Sequence, residues 1–125
     1  MDASQFSVEV APEFLPEQSD SEQGVWAYSY TVQIRNRGSV AAQLIARHWT
    51  IMDETGRVEE VRGLGVVGHQ PLLKPGETFE YTSWTRLHTP SGSMRGSYLC
   101  VTEDGERFDA PIAEFALRPP GLTLH

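Results

Sequence analysis

The sequence predicts an all-β fold, specifically an immunoglobulin- or fibronectin type III-like β-sandwich of about seven strands. Three observations favour this fold. Apolar residues recur at alternate positions, turn signals recur every 8 to 14 residues, and no segment shows the 3.6-residue period of a helix. A chain of 125 residues has the usual length of one domain. We therefore expect a single domain over residues 1–125, with residues 1–4 and 118–125 as mobile ends.

The first half of the chain predicts three strands. An alternating apolar pattern begins at Phe6 and is limited by Pro12 and Pro16, and a polar loop follows over residues 17–23. The longest alternating pattern contains Trp26, Tyr28, Tyr30, Val32 and Ile34, which predicts a long, half-buried strand in which these aromatic residues pack in the core. Residues 43–52 carry apolar side chains on both faces, which is typical of a central strand.

The second half predicts shorter strands separated by clear turn signals. A short strand over residues 58–61 leads into a glycine-rich stretch, and Pro75-Gly76 predicts a type II turn. A strand then starts at residue 79, and a polar loop is expected between Trp84 and Met94. Residues 95–102 and 107–115 predict a hairpin with Asp104-Gly105 at its tip. Pro111 marks its second arm as an edge strand or a bulge.

Charge and composition argue against several classes of function. The net charge is -7, and residues 24–125 carry eleven acidic and ten basic residues, so the body of the chain is nearly neutral. Lys and Arg form no cluster that could neutralise a run of phosphates, so we expect no nucleic-acid binding. No export signal and no window of about 18 apolar residues is visible, so we expect a cytoplasmic protein without a membrane span.

Candidate catalytic and metal-binding groups are sparse. The single cysteine, Cys100, lies between Leu99 and Val101 in an apolar strand, which predicts a buried and inert thiol. The four histidines show no metal-ligand spacing, so we expect no metal site and no cofactor. The only conceivable acid–base groups beside the glycine-rich stretch are Glu59, Glu60 and His69. We therefore expect a protein that is not an enzyme.

The glycine-rich stretch Gly63-Leu64-Gly65-Val66-Val67-Gly68 matches the GxGxxG pattern of dinucleotide-binding proteins. That pattern indicates such a site only when a strand enters it and a helix leaves it. Pro71, Pro75 and Gly76 exclude the helix, so we interpret the glycines as serving a loop or bulged strand by positive φ or close backbone approach. A weaker alternative is that N–H groups of residues 63–69, with Arg62, bind a single anion.

Apolar residues in and beside this stretch suggest a surface function. An apolar cluster on a rigid bent loop is what a partner-binding patch needs, whereas the same residues could instead cover the end of the sandwich. Both alternatives remain open from the sequence. The residues concerned are Leu64, Val66, Val67, Leu72 and Leu73.

Six runs of residues follow one another in a distinctive order: His48-Trp49-Thr50-Ile51, the segment from Gly56 to Gly68, Gln70-Pro71, Leu73-Lys74-Pro75-Gly76-Glu77, Phe79-Glu80-Tyr81-Thr82-Ser83 and the segment from Gly92 to Tyr98. Taken together, these runs resemble the bacterial ApaG family. The resemblance implies a fibronectin type III-like β-sandwich, a link to cobalt resistance and magnesium transport, and a domain that also occurs in eukaryotic F-box and polymerase-interacting proteins. It further implies that Gly63, Gly65 and Gly68 would form the pyrophosphate site proposed for the family.

The sequence therefore leads to one hypothesis and one alternative. The hypothesis is a non-enzymatic protein-interaction module with an unidentified protein partner, linked through the family to divalent-cation homeostasis. The alternative is a binding protein for a nucleotide or pyrophosphate at the same loop. Edge strands of a sandwich can pair two chains, so either a monomer or a homodimer is expected. The candidate binding residues are Arg62, Gly63, Leu64, Gly65, Val66, Val67, Gly68 and His69.

Overall fold

The computed structural model describes residues 5–121 and shows two antiparallel sheets packed face to face as a sandwich. The predicted all-β sandwich is therefore confirmed, with eight strands where about seven were expected. Two short 3₁₀ helices, Pro16–Gln18 and Ser21–Gln23, lie between the first two strands. The strands in chain order are β1 (Phe6–Phe14), β2 (Trp26–Asn36), β3 (Ala42–Asp53), β4 (Val58–Leu64), β5 (Leu72–Leu73), β6 (Thr78–Leu87), β7 (Gly92–Thr102) and β8 (Arg107–Leu117).

The two sheets differ in size and in how their margins are covered. One sheet has three strands in the order β1-β2-β6, and the other has the order β4-β3-β7-β8 with β5 also paired to β3. At one margin of the sandwich β1 packs against β8. At the other margin β4 and β6 are the outer strands, and a cleft of about 260 Å³ is lined by residues of both. The glycine-rich stretch lies at this second margin.

Aromatic side chains from both sheets form the centre of the core. Trp49 of β3 contacts Tyr30 of the opposite sheet edge-on, with ring centroids 5.2 Å apart, and it also contacts Tyr98 and Phe115 edge-on. Edge-to-face contacts of this kind add to the free energy gained from burying the rings. The predicted packing role of Tyr28 and Tyr30 is confirmed, because both side chains are buried, while Trp26 packs against the core and is partly buried.

A one-residue β-bulge at Ile45 interrupts the central strand. Leu44 pairs with Cys100 and Ala46 pairs with Leu99, so Ile45 is an extra residue on β3. Because side chains alternate across a strand, the bulge reverses which positions face the core. Leu44 faces inward before the bulge, and Trp49 faces inward after it. This reversal explains why apolar residues fall on both faces in the sequence pattern, and the central position of β3 is confirmed.

The turns and the hairpin agree with the sequence. The amide of Glu77 donates to the carbonyl of Lys74 across Pro75-Gly76, and Gly76 has a φ of 86°, as a type II turn requires. Strands β7 and β8 form the predicted hairpin, with Gly105 at positive φ in its loop. Pro111 lies on β8, which is an edge strand.

Several strands extend further than predicted. β1 continues through Pro12 to Phe14, which an edge strand tolerates because the missing N–H can face away from its partner strand. β6 continues to Leu87 and β7 begins at Gly92, so the loop expected between Trp84 and Met94 contains only residues 88–91. β4 extends to Leu64 and includes the first glycine of the motif. Of the mobile ends expected at residues 1–4 and 118–125, residues 1–4 and 122–125 lie outside the described residues.

Asn36, at the end of β2, connects three separate segments through its buried side chain. Its Nδ2 donates to the carbonyls of Val40 and Leu73 at 2.8 and 2.9 Å. Its Oδ1 accepts hydrogen bonds from the Gln5 side chain and from the Gly38 amide. A fully buried amide that uses both its donor and its acceptor groups fixes the β2–β3 connection against β5.

We predict that Asn36→Ala lowers the free energy of unfolding by roughly 3 kcal/mol, because the buried Leu73 carbonyl loses its side-chain donor and the Gln5 side chain loses a buried acceptor. Urea denaturation followed by tryptophan fluorescence measures this loss.

Gln33→Ala is the matched control, since Gln33 is an exposed amide on the same strand. Its expected effect stays within about 0.5 kcal/mol. A loss below about 1 kcal/mol for Asn36→Ala would contradict the role assigned to its buried hydrogen bonds.

Candidate functional site

The glycine-rich stretch forms a loop at an interrupted sheet edge. Strand β3 pairs with β7 along one edge and with both β4 and β5 along its other edge. Residues 65–71 connect β4 to β5 as a loop. We call residues 65–71 the edge loop. Its two ends are fixed to the bulge in β3: the Gly65 amide donates to the Ile45 carbonyl at 2.8 Å, and the Leu44 amide donates to the Pro71 carbonyl at 3.0 Å. The side chain of Gln70 donates to the same Ile45 carbonyl at 2.9 Å.

A tight two-residue turn forms the tip of the edge loop. Val66 and His69 exchange both main-chain hydrogen bonds, at 2.8 and 2.9 Å. The two residues between them, Val67 and Gly68, have φ values of 43° and 84°. Positive φ at both central positions is the signature of a type I′ turn. Positive φ is a genuine outlier for a β-branched residue such as valine, so Val67 is strained.

Each glycine of the motif has a separate structural reason. A Cβ on Gly63 would lie 2.8 Å from the Arg47 guanidinium, so its absence makes room for that group. Gly65 has a φ of 65°, and a Cβ there would collide with the His69 carbonyl. Gly68 supplies the second positive φ of the turn. The interpretation of the glycines as serving positive φ and close approach is confirmed.

Arg47 is a structural residue of this site that the sequence did not single out. It pairs with Gly63 on one side and with the buried Tyr98 on the other, so it lies on the core-facing side of the sheet. Its guanidinium passes over Gly63 and donates to the carbonyls of Leu64 and Gly65, both at 2.9 Å. A signal was present in the sequence, because Arg47 alternates in phase with Trp49 and Ile51.

The apolar residues of the predicted patch divide into two groups. Leu64, Val67 and Leu72 are exposed by 75%, 50% and 58%. Val66 and Leu73 are buried in the core instead, and they therefore cover the end of the sandwich. Val66 thus departs from its expected place among the binding residues, because a side chain that solvent does not reach cannot contact a partner. The covering role therefore holds for Val66 and Leu73, and partner binding stays a prediction for the three exposed residues.

Beside the edge loop, the solvent-facing side of the larger sheet is concave. A depression of about 540 Å³ is lined by Leu64, Ala46 and Leu99, with Arg62, His48 and Asp109 at its polar border. His69 points toward the other sheet, where its ring packs on Phe79 at a centroid distance of 5.9 Å. The structure therefore places Arg62 and Leu64 at the depression, while His69 helps to close the sandwich.

Of the three groups named for acid–base chemistry, Glu60 has charged or ionisable partners. Nε2 of His48 lies 2.9 Å from Oε1 of Glu60, and the Arg62 guanidinium lies 3.7 Å from the same oxygen. The hydrogen bond to His48, helped by the charge of Arg62, lowers the pKa of Glu60 below its usual value. Burial raises the pKa of the Cys100 thiol to about 12, as expected for an inert cysteine.

Among residues 5–121, no three His, Cys, Asp or Glu side chains come together in a way that could share a metal ion. None of the helical segments in the same range has the length and apolar character needed to cross a membrane.

One exposed aromatic residue lies away from the edge loop. Trp84 on β6 is 61% exposed, on the solvent-facing side of the smaller sheet. Sequence reasoning placed Trp84 at the start of a loop, whereas the structure places it within a strand.

Comparison with known proteins identifies the family. Residues 16–102 match the family model described as the ApaG domain. Protein ApaG from Ralstonia nicotianae is 58% identical over 125 residues, which covers all of both chains. Protein ApaG from Bordetella pertussis is 60% identical over 119 residues, covering 95% of this chain and 90% of that protein.

Solved structures agree with these relatives. The crystal structure of the Bordetella pertussis ApaA protein superposes with a TM-score of 0.91 at 59% identity, and it covers 93% of this chain and 94% of that chain. The family model and the relatives span most of the sequence, including the edge loop and the depression beside it. The chain therefore belongs to the ApaG family.

Proposed function

We propose that this ApaG chain is a non-enzymatic protein-interaction module. Its contact surface comprises the exposed side chains of Leu64, Val67 and Leu72 together with Leu99 in the depression beside them. We call these four residues the apolar surface. The observation that carries the proposal is that three of them are at least half exposed within nine consecutive residues of one sheet edge. Concentrated exposed apolar area of this kind marks interaction sites on monomeric domains.

The edge loop is held in one conformation before any partner arrives. Main-chain hydrogen bonds fix Gly65 and Pro71 to β3, and a reciprocal pair closes the turn between Val66 and His69. A fixed loop loses little conformational entropy on binding, so more of the contact energy appears as affinity. The strained backbone of Val67 supports the same proposal, because strained residues concentrate at binding sites.

The surroundings of the apolar surface resemble the border of an interface. Arg62, His48 and Asp109 surround the depression with polar groups that can select a partner by hydrogen bonding and charge. The family resemblance implies a link to cobalt and magnesium, so we expect the partner to be present in cells that respond to these cations. Extracts from cells exposed to cobalt or limited for magnesium are therefore suitable sources.

A second candidate function is binding of a pyrophosphate or nucleotide at the edge loop. The exposed guanidinium of Arg62 at the depression favours it. The loop itself offers few donors, because the amides of Gly65, Val66 and His69 already donate to main-chain carbonyls. A phosphate cradle needs several convergent free N–H groups. We therefore place the protein-interaction module first.

We predict that the double variant Val67→Asp/Leu72→Asp retains at least about tenfold less partner protein than the unaltered chain. Charges placed on the apolar surface must lose water on binding, whereas the fold is preserved because both side chains face solvent. Aspartate also tolerates positive φ better than valine does. Immobilised proteins exposed to bacterial extract, with quantitative mass spectrometry of what is retained, measure the change.

Trp84→Asp is the matched control, because it places the same charge on an equally exposed apolar residue of the other sheet. We expect the unaltered chain and Trp84→Asp to retain a common set of proteins that the double variant does not retain. If all three retain the same proteins, the apolar surface is not the contact site.

We further predict that pyrophosphate, ATP, diadenosine tetraphosphate, magnesium and cobalt each leave the Tm unchanged. A ligand at about 100 times its dissociation constant adds about 2.7 kcal/mol, which would raise the Tm by several degrees in a domain of this size. Thermal-shift measurements on the unaltered chain and on Arg62→Ala show whether any of these ligands binds and whether binding needs Arg62. A rise with a phosphate ligand that Arg62→Ala removes would establish the second candidate in place of the first.

A further inference from the structure

Strand β4 leaves one main-chain edge of the larger sheet unpaired. The Asp53 amide donates to the Arg57 carbonyl, and the Gly65 amide donates to the Ile45 carbonyl, so the ladder with β3 is fixed at both ends of β4. Hydrogen bonding alternates along an antiparallel strand. The odd-numbered residues of β4 therefore bond to β3. The even-numbered residues Val58, Glu60, Arg62 and Leu64 direct their N–H and C=O groups away from β3. The Leu64 carbonyl already accepts one hydrogen bond from the Arg47 guanidinium, and its second lone pair is left for a partner strand.

We infer that this edge pairs with the same edge of a second copy of the chain. The two β4 strands run antiparallel about a twofold axis at Val61, so Glu60 lies opposite Arg62 of the second copy and Val58 lies opposite Leu64. The edge is self-complementary in this arrangement, because two opposite-charge pairs flank the axis and two apolar pairs lie outside them. Exposed strand edges are templates for such pairing.

Charge selects this register over its neighbours. Outward-facing residues of both strands must oppose one another to form the ladder, so the twofold axis can lie only at residue 60, 61 or 62 without greatly shortening the paired region. An axis at Glu60 would oppose two glutamates, and an axis at Arg62 would oppose two arginines. Like charges directly opposite each other destabilise a strand pair, whereas opposite charges stabilise it. Only the axis at Val61 satisfies both charged positions.

The core-facing side of β4 favours the same register. With the axis at Val61, Glu59 of the second copy lies opposite Gly63, and the guanidinium of Arg47 lies directly over Gly63. Neither Arg47 nor Glu59 forms a salt bridge within residues 5–121. Pairing of the two copies therefore brings each Arg47 an acidic partner through the space that the glycine leaves open. In a neighbouring register Glu59 of the second copy lies opposite a residue other than Gly63, so it does not face the open space over the glycine.

This inference does not depend on the proposed function. It concerns the main-chain edge of β4, whereas the protein partner is assigned to the apolar surface; Leu64 alone belongs to both. The paired region of two seven-residue strands is small, so the dimer belongs among weak interfaces. Its dissociation constant must therefore be measured over a wide range of protein concentration.

Charge reversal tests the register directly by sedimentation equilibrium. The unaltered chain is expected to form a dimer as concentration rises. Glu60→Arg alone opposes arginines, and Arg62→Glu alone opposes glutamates, so each is expected to raise the dissociation constant at least about tenfold. An equimolar mixture of the two variants is expected to recover association, because each chain then presents the charges that the other requires.

Glu80→Arg reverses an exposed charge on β6 of the other sheet and is expected to leave association unchanged. Recovery in the mixture also shows that both single variants remain folded. The inference is overturned if the unaltered chain stays monomeric at its highest soluble concentration. It is equally overturned if either reversal leaves the dimer intact, or if the mixture remains monomeric.

Discussion

The bulge at Ile45 is the constraint on which the candidate site depends. The extra residue reverses the alternation of β3, so that Arg47 joins Trp49 on the core-facing side. It also leaves the Ile45 carbonyl free to accept from both Gly65 and Gln70 at the two ends of the edge loop. Without the extra residue, an unbroken strand could pair along this side of β3. The interruption therefore produces the edge loop, the exposed apolar residues around it and the separation of β4 from β5.

The glycine pattern resembles that of dinucleotide-binding proteins, but in this chain the backbone geometry at a sheet edge requires the glycines. Gly63 accommodates the Arg47 guanidinium, Gly65 approaches the His69 carbonyl, and Gly68 completes a type I′ turn. These requirements account for all three glycines within a single chain. The same geometry gives Arg47 two carbonyls to bind and leaves Leu64 and Val67 exposed. Structure and candidate function thus arise from one local arrangement.

Much of the fold could be predicted from the sequence, because period-two alternation and turn chemistry are local signals. The long alternation through β2 and the Pro75-Gly76 turn are examples. Errors arose where tertiary context overrides a local signal. Pro12 lies in a strand because β1 is an edge, and Trp84 lies in a strand although its side chain faces solvent. Which side chains of the candidate site are buried could not be predicted from the sequence. Val66 and Val67 are adjacent valines, and only the turn geometry buries one and exposes the other.

The edge loop is a closed, internally bonded element rather than an open cradle of N–H groups. Amide hydrogen exchange, measured by NMR on the ligand-free protein, distinguishes these two states of the loop. We expect slow exchange for the amides of Gly65, Val66 and His69, which donate within the protein, and fast exchange for those of Val67 and Gly68 at the exposed tip. Equally fast exchange at all five amides would show that the loop is open and that its donors are free for a ligand.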